Sequence, residues 1–281
     1  MAERTCAWIL SGFGDEIDPD PAVQVGVLQA LGAHHIEVRG AWDTNIVELP
    51  EDQLDRLAKL LRDRGMGVSA IASPVGKVDV FGDPDAELAR LRRAIAAAHR
   101  LGARYVRMFS FYRPEGVPVE QTRDTVLTRL RGFADLAERE GVVLVHENEK
   151  DIYGDVPQRV LDLVESVGSP ALRLAWDSAN FVQVGVRPFT DGYAMLRPHL
   201  EYLQVKDAVV ATGTVVPAGE GDGELPATLT ALRDDGYSGF ASLEPHLAAS
   251  YRQGGFSGAA EFGRAARAFA ALTASIGVEL R

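Results

Sequence analysis

Eight short apolar runs, separated by longer segments of helical period, predict an α/β protein folded as a closed (β/α)8 barrel of the TIM type. The runs recur about every 27 to 40 residues, the spacing of consecutive strand–helix units. Some, such as VVLV at 142–145, are apolar at every position, as a parallel strand covered on both faces requires. The first strand–helix turn, GFGDEIDPD, lacks the G-x-G-x-x-G spacing of an open dinucleotide-binding sheet. The chain has 281 residues, slightly more than one such barrel needs, and no Pro/Gly/Ser-rich linker divides it. One domain over residues 1–281 is therefore expected.

In order, the strands are expected at Trp8–Phe13, His35–Arg39, Val68–Ser73, Tyr105–Ser110, Val142–Glu147, Leu172–Asp177, Tyr202–Lys206 and Phe240–Glu244. Between them, apolar residues fall at helical intervals that give each helix one buried stripe. The stripes are Val23, Val27 and Leu31, then Leu54, Leu57 and Leu61, then Leu88, Leu91 and Ile95, and later Val160, Val164 and Val167. Asp83-Pro84 opens one helix and Asp155 stands before another, while Gly32, Gly65, Gly102 and Gly141 close helices just ahead of strands. The unit echoes itself weakly. Leu31-Gly32-Ala33 leads into the second strand as Leu101-Gly102-Ala103 leads into the fourth, and LLRDRG ending at Gly65 resembles LAEREG ending at Gly141.

Composition narrows the function. Hydrophobic residues make up 46% of the chain, enough for a sizeable core, yet no apolar run approaches the ~20 residues of a membrane span. The N-terminal MAERTCAWIL carries acid and base before a short apolar stretch and does not read as a secretory leader. A net charge of −11 disfavours a nucleic-acid partner, whose phosphates reward a basic surface. A lone cysteine, Cys6, excludes an internal disulfide and fits a reducing cytoplasm. No sequence patch identifies an oligomer or partner-subunit interface, so that question stays open.

In a barrel of this kind the carboxyl ends of the strands converge on one mouth, where active sites are built. The fifth to eighth strands end VVLVHENE, LRLAWDSAN, YLQVKDA and FASLEPH, and each presents an oxygen donor after its apolar run: Glu147, Asp177, Gln204 and Glu244. Alternation along a strand sharpens the choice. With Val143 and Val145 facing the interior, Glu147 faces it too, while His146 and Asn148 turn aside. Glu149 has the same parity one step further out and stands second. Lys206 shares a face with Gln204, and His246 with Glu244. Three carboxylates at one mouth repel one another and raise each other's pKa unless a cation lies among them. A single divalent ion removes the conflict, and three carboxylates with an amide oxygen suit Mn2+ or Mg2+ better than Zn2+. In the competing reading these acids are solvated strand ends, or pair with Lys206, Arg39 and Arg107.

The ordered set HENE, WDSAN, QVKD and SLEPH resembles the xylose-isomerase-like barrel superfamily of sugar and sugar-phosphate isomerases and epimerases, which also contains AP endonucleases. HIEVRG and AIASPVGK, on the second and third strands, extend the resemblance over nearly the whole chain. It implies a divalent metal, Mn2+ foremost with Mg2+ or Co2+ as alternatives, held by Glu147, Asp177, Gln204 and Glu244. The strand-seven position departs from the pattern, since relatives commonly carry His-x-Lys-Asp where this chain has Gln204-Val205-Lys206-Asp207. An amide oxygen is a poorer ligand than imidazole for softer metals. The resemblance further implies an isomerase or epimerase acting through an enediolate, with Glu147 and Glu244 as the acid/base pair and a carbohydrate as substrate. Lys206 and His246 could hydrogen-bond a developing oxyanion or other hydroxyls. Asn180, Glu37 and Arg107 could contact hydroxyls or a phosphate, although barrel-wall ion pairs for Glu37 and Arg107 and a local cap for Asn180 serve as well.

Two alternatives remain. One is a lyase using the same enolising site, of the inosose-dehydratase or C-glycoside-cleaving type; the other is a barrel that binds sugar or a partner subunit without turnover. An AP endonuclease is disfavoured by the net charge and by a supply of only six histidines for a three-zinc cluster. Two long segments, Lys150–Pro157 and Ala208–Pro226, are expected to cover the mouth. The glycines of the second do not read as a phosphate cradle, because Glu220, Asp222 and Glu224 would repel a phosphate.

Overall fold

All eight predicted strands form, and all run parallel. The computed structural model describes residues 6–247 and 257–281. The strands are β1 (Cys6–Gly12), β2 (His35–Val38), β3 (Gly67–Ala72), β4 (Tyr105–Met108), β5 (Val143–Glu147), β6 (Leu172–Asp177), β7 (Leu200–Val205) and β8 (Phe240–Leu243). Each from β2 to β7 pairs with the next, and β8 pairs with β1, with Ile9 opposite Phe240 and Gly12 opposite Leu243. The curl closes at the carboxyl end through one parallel bridge between Phe13 and Glu37, joining the ends of β1 and β2. At the amino end the same edge of β1 is taken by a short strand not expected from the sequence, β9 (Val278–Leu280), with Cys6 opposite Val278 and Trp8 opposite Leu280. The result is the TIM-barrel architecture, with β9 wedged into its seam.

Between the strands run α1 (Pro21–Ala30), α2 (Glu51–Asp63), α3 (Pro84–Leu101), α4 (Arg123–Glu140), α5 (Pro157–Val167), α6 (Ser178–Gln183) and α7 (Leu225–Asp234), and α8 (Gly258–Ser275) follows β8. Asp83 caps α3 by accepting from the amides of Asp85 and Ala86, while Gly102 and Gly141 end α3 and α4 in the left-handed region. Asp155 does not cap α5: Val156 occupies that place, and Asp155 pairs with Arg159 in the first turn.

Three of the four stripes face the sheet as expected, with Leu57 and Leu61, Leu91 and Ile95, and Val160 and Val164 buried. On α1 the expected stripe is displaced. Val25 and Leu28 are buried, whereas Val23 is 40% exposed and Val27 and Leu31 are half-buried. The helix is apolar around most of its circumference, so periodicity alone did not choose a face. Gln24 decided it: its side-chain amide, buried beside the sheet, donates to the carbonyls of Asp18 and Gly40.

Candidate active site

The barrel interior rises through three layers from its amino end. The lowest is an apolar plug of Ala70, Tyr105, Val145, Ala175 and Tyr202, with Val143 and Phe240 packed against it. Tyr105 and Tyr202 meet edge to face at 5.7 Å between ring centres. Above the plug lies a polar belt, in which the Tyr202 hydroxyl is 2.8 Å from Glu37 Oε2 and 2.9 Å from Ser69 Oγ, and Ser69 is 2.6 Å from Ser11 Oγ. Burial pushes the Glu37 carboxyl up to about 7, against the pull of the Arg107 guanidinium. The third layer is charged.

Here the ends of β5, β6 and β8 bring together the three acids expected at the strand ends. One oxygen each of Glu147, Asp177 and Glu244 lies within 4.8 Å of the others, and all three side chains are buried. The carboxylates are compensated by cations from other strands. Glu147 Oε2 accepts from Arg107 Nη1 at 2.8 Å, and its Oε1 accepts from Asn180 Nδ2 at 3.0 Å. Asp177 Oδ1 caps α6 by accepting from the Asn180 amide, which leaves Oδ2, 2.8 Å from Lys206 Nζ. Glu244 Oε2 accepts from Lys206 at 3.1 Å. Its Oε1 is 2.9 Å from Arg39 Nη1, 3.2 Å from His246 Nε2 and 3.7 Å from Arg107 Nη1.

These contacts set opposite electrostatic states for two of the acids. Burial, together with Glu147 and Glu244, raises the Asp177 carboxyl despite Lys206. For Glu244 the surrounding cations, Lys206 first, overcome burial and hold the carboxyl well below its ordinary range. Lys206 is itself raised, because Asp177 and Glu244 outweigh its desolvation.

Gln204 lies opposite Asp177 on β6 and Ser242 on β8 in the parallel register. Its side chain has no exposed surface, and neither Oε1 nor Nε2 finds a hydrogen-bond partner among the described residues. An orphaned buried amide costs about 1–3 kcal/mol unless something else satisfies it. Three converging carboxylates beside an unsatisfied amide oxygen form an oxygen-only donor set, and such a set can hold a hard divalent cation.

A cleft of about 430 Å3 opens over this layer. Arg107, Glu147, Asn180, Lys206, Glu244 and His246 all line it. Glu37 does not, lying in the belt below, and Asp177 and Gln204 also have no exposed surface. Glu149, the second-choice acid, lines the cleft and pairs with Lys77 at 3.0 Å. His246 adopts a positive φ of 44° and spans two carboxylates, its Nδ1 3.2 Å from Glu16 Oε1 and its Nε2 3.2 Å from Glu244 Oε1.

Three supporting residues were not singled out in the sequence. Glu16, fully buried, ties Arg39, the His246 amide and Ser257 together. Its signal was an acid immediately after the first strand, at the same end as the others. Asn148 turns aside as parity requires, and there it clamps β5 to β6 by exchanging hydrogen bonds with the Asp177 backbone. The third is Asp207. Its carboxylate accepts from the amides of Ala208, Gly219, Gly221 and Gly223, so the glycine-rich segment wraps around a buried anion of the chain itself. A Cβ at Gly221 or Gly223 would lie 2.5 Å from Asp207 Oδ1. Of the two segments expected to cover the mouth, each borders the cleft through one residue, Lys150 and Val215.

Comparison with known proteins places the chain among barrels of one family. The sequence model described as a xylose isomerase-like TIM barrel matches residues 25–267. A 2-epi-5-epi-valiolone 7-phosphate 2-epimerase from Actinoplanes sp. is 28% identical over 217 residues, spanning 76% of this chain and 78% of the relative. Among solved structures, the IOLI protein with a bound zinc atom superposes with a TM-score of 0.78 at 17% identity, covering 95% of this chain and 99% of that one. A Mycobacterium smegmatis barrel in complex with magnesium gives a TM-score of 0.69 at 20% identity, covering 97% and 98%. Both share the fold.

Proposed function

Because the chain belongs to the xylose isomerase-like TIM barrel family, we propose that it is a divalent-metal-dependent epimerase or isomerase of a sugar or sugar-derived ketone. What carries the reading is the approach of Glu147, Asp177 and Glu244 to within 4.8 Å of one another beneath an open cleft. The curated relative that acts as an epimerase supports the same class of reaction. Glu147, Asp177, Gln204 and Glu244 would hold the ion. Their oxygen-only chemistry favours Mn2+, with Mg2+ or Co2+ as alternatives. Bound there, the ion supplies Lewis acidity, polarising the substrate carbonyl so that the neighbouring C–H proton is lost more readily.

The chain's own residues then move the proton. Glu147 on β5 and Glu244 beyond β8 stand on strands separated by β6 and β7, so the two carboxylates reach the centre from different parts of the ring. One takes the proton and the other returns it in epimerisation; a single carboxylate doing both gives a 1,2-shift. Asn180 and Arg107 fix the Glu147 carboxylate, while Arg39 and His246 fix that of Glu244. Lys206 and His246 would hydrogen-bond substrate oxygens, a role supported by both lining the cleft.

The test is an NMR screen of Mn2+-loaded protein in deuterated water against keto-sugars, inososes and 3-keto-glycosides. Deuterium entering the carbon beside the carbonyl, with product of unchanged composition, is the expected result, and Glu244→Gln should abolish it. Elimination products would replace this reading with a lyase. No exchange on any of the three classes would remove it.

A further inference from the structure

We infer that Lys206 is a built-in competitor for the metal centre: its ammonium occupies the carboxylate oxygens a divalent ion needs, so the ion enters only as Lys206 leaves. The inference rests on the metal-centre reading and adds to it a residue that opposes binding. Asp177 has one oxygen committed to the cap of α6 and a single oxygen left, and Lys206 Nζ sits 2.8 Å from that oxygen. The same ammonium lies 3.1 Å from Glu244 Oε2, whereas the other Glu244 oxygen is held by Arg39 and His246. Lys206 thus bridges two of the three converging acids, through oxygens that no other cation among the described residues holds.

Two positive charges cannot share those oxygens in a buried, weakly screened site without strong repulsion. The remaining cations do not compete in the same way. Arg107 and Arg39 approach Glu147 Oε2 and Glu244 Oε1, and their partners include Ser73, Ala72, Asp15 and Glu16, which hold them in place whether or not an ion is present. Lys206, at the end of a flexible four-carbon stem and lining the cleft, is the cation free to turn toward substrate once displaced. One side chain would then satisfy the acids before the ion arrives and serve the substrate afterwards.

The experiment titrates Mn2+ alone into the wild-type chain and Lys206→Met, following binding by electron paramagnetic resonance. Lys206→Met should bind at least about tenfold more tightly. Its melting temperature without metal should fall, because the acids lose their partner, and should rise more on Mn2+ addition than that of the wild type. Should the variant fail to fold, the wild type decides alone. Reductive methylation read by mass spectrometry should leave Lys206 protected without metal and labelled at saturating Mn2+. Mn2+ binding by the wild type with the same affinity in the variant, or with Lys206 protection unchanged, overturns this inference and leaves the metal centre standing. Binding by neither protein removes both.

Discussion

His146 offers a quantitative test of how the barrel wall is packed. It alternates with Val145 and Glu147 on β5 and so points away from the barrel interior, toward the layer of Gly154 and Leu163. The ring is fully buried with neither nitrogen hydrogen-bonded among the described residues, and burial lowers it from 6.5 to about 3. The unfolded chain takes up a proton below 6.5 that the fold refuses until about 3, so this residue withdraws stability as pH falls between those values. At pH 4.5 the loss relative to pH 8 amounts to about 2.7 kcal/mol, at 1.36 kcal/mol per pH unit. His146→Leu, of similar size and without polar atoms to orphan, should remove that increment and be at least as stable at pH 8. Urea unfolding of both proteins at pH 8 and pH 4.5, followed by circular dichroism, measures it. The wild type should lose more stability between the two pH values than the variant, by the amount given. Equal losses would show that His146 is solvated or partnered, and the packing assigned to it would be wrong.

Gln204→His should raise affinity for Zn2+ or Co2+ relative to Mn2+ by about tenfold or more, since imidazole suits softer ions; chelator competition reads the ratio, and an unchanged ratio would remove Gln204 from the ligand set. Asp207→Asn places an NH2 group against two of the four amides that the carboxylate now accepts from. At about 1–3 kcal/mol for each unsatisfied donor, the loss should be about 3 kcal/mol, a fall in melting temperature of about 6–12 °C by calorimetry. A fall of under about 2 °C would mean that the segment does not depend on its anchor.

The strands and the three acids were legible because both follow from local rules. Uninterrupted apolar runs mark strands covered on both faces, and period-two alternation places Glu147 and Asp177 on the inner face without knowledge of any partner. Register is a different kind of information. Arg39 was among the cations weighed as partners of the acids, but that it reaches Glu244 in particular, 205 positions away, follows from the β1–β2 seam closing the ring, and no local pattern reports a closure made by one bridge. The strand β9 was illegible for a related reason: three residues pair with β1 only because the seam leaves that edge free. The Asp207 anchor was half-written in the sequence. Gly219, Gly221 and Gly223 alternate, which lets successive amides turn to one side, and the acid they grip lies twelve positions before the first of them. Glu220, Asp222 and Glu224 led away from an anion cradle in the sequence, yet the glycine alternation is itself an anion-binding signal, and its anion is the internal Asp207 carboxylate.

The electrostatics of the mouth follow the same logic as that anchor. Three buried carboxylates would each cost several kcal/mol if left alone. Here Arg107 from β4, Arg39 from the end of β2 and Lys206 from the end of β7 answer acids on β5, β6 and β8, so every acid strand is served by a cation from elsewhere in the ring. Stability of the fold and occupancy of the site are thereby separated, because the acids are balanced by the chain before any ion arrives. The compensation is also uneven. Among the described residues Glu244 faces Arg39, Arg107 and Lys206 together with the His246 ring, Glu147 faces Arg107 at close range, and Asp177 faces Lys206. For the proposed metal centre, an incoming ion would have to displace Lys206 from the oxygens it bridges, which makes that lysine the residue on which the balance between a self-neutralised barrel and a metal centre would turn.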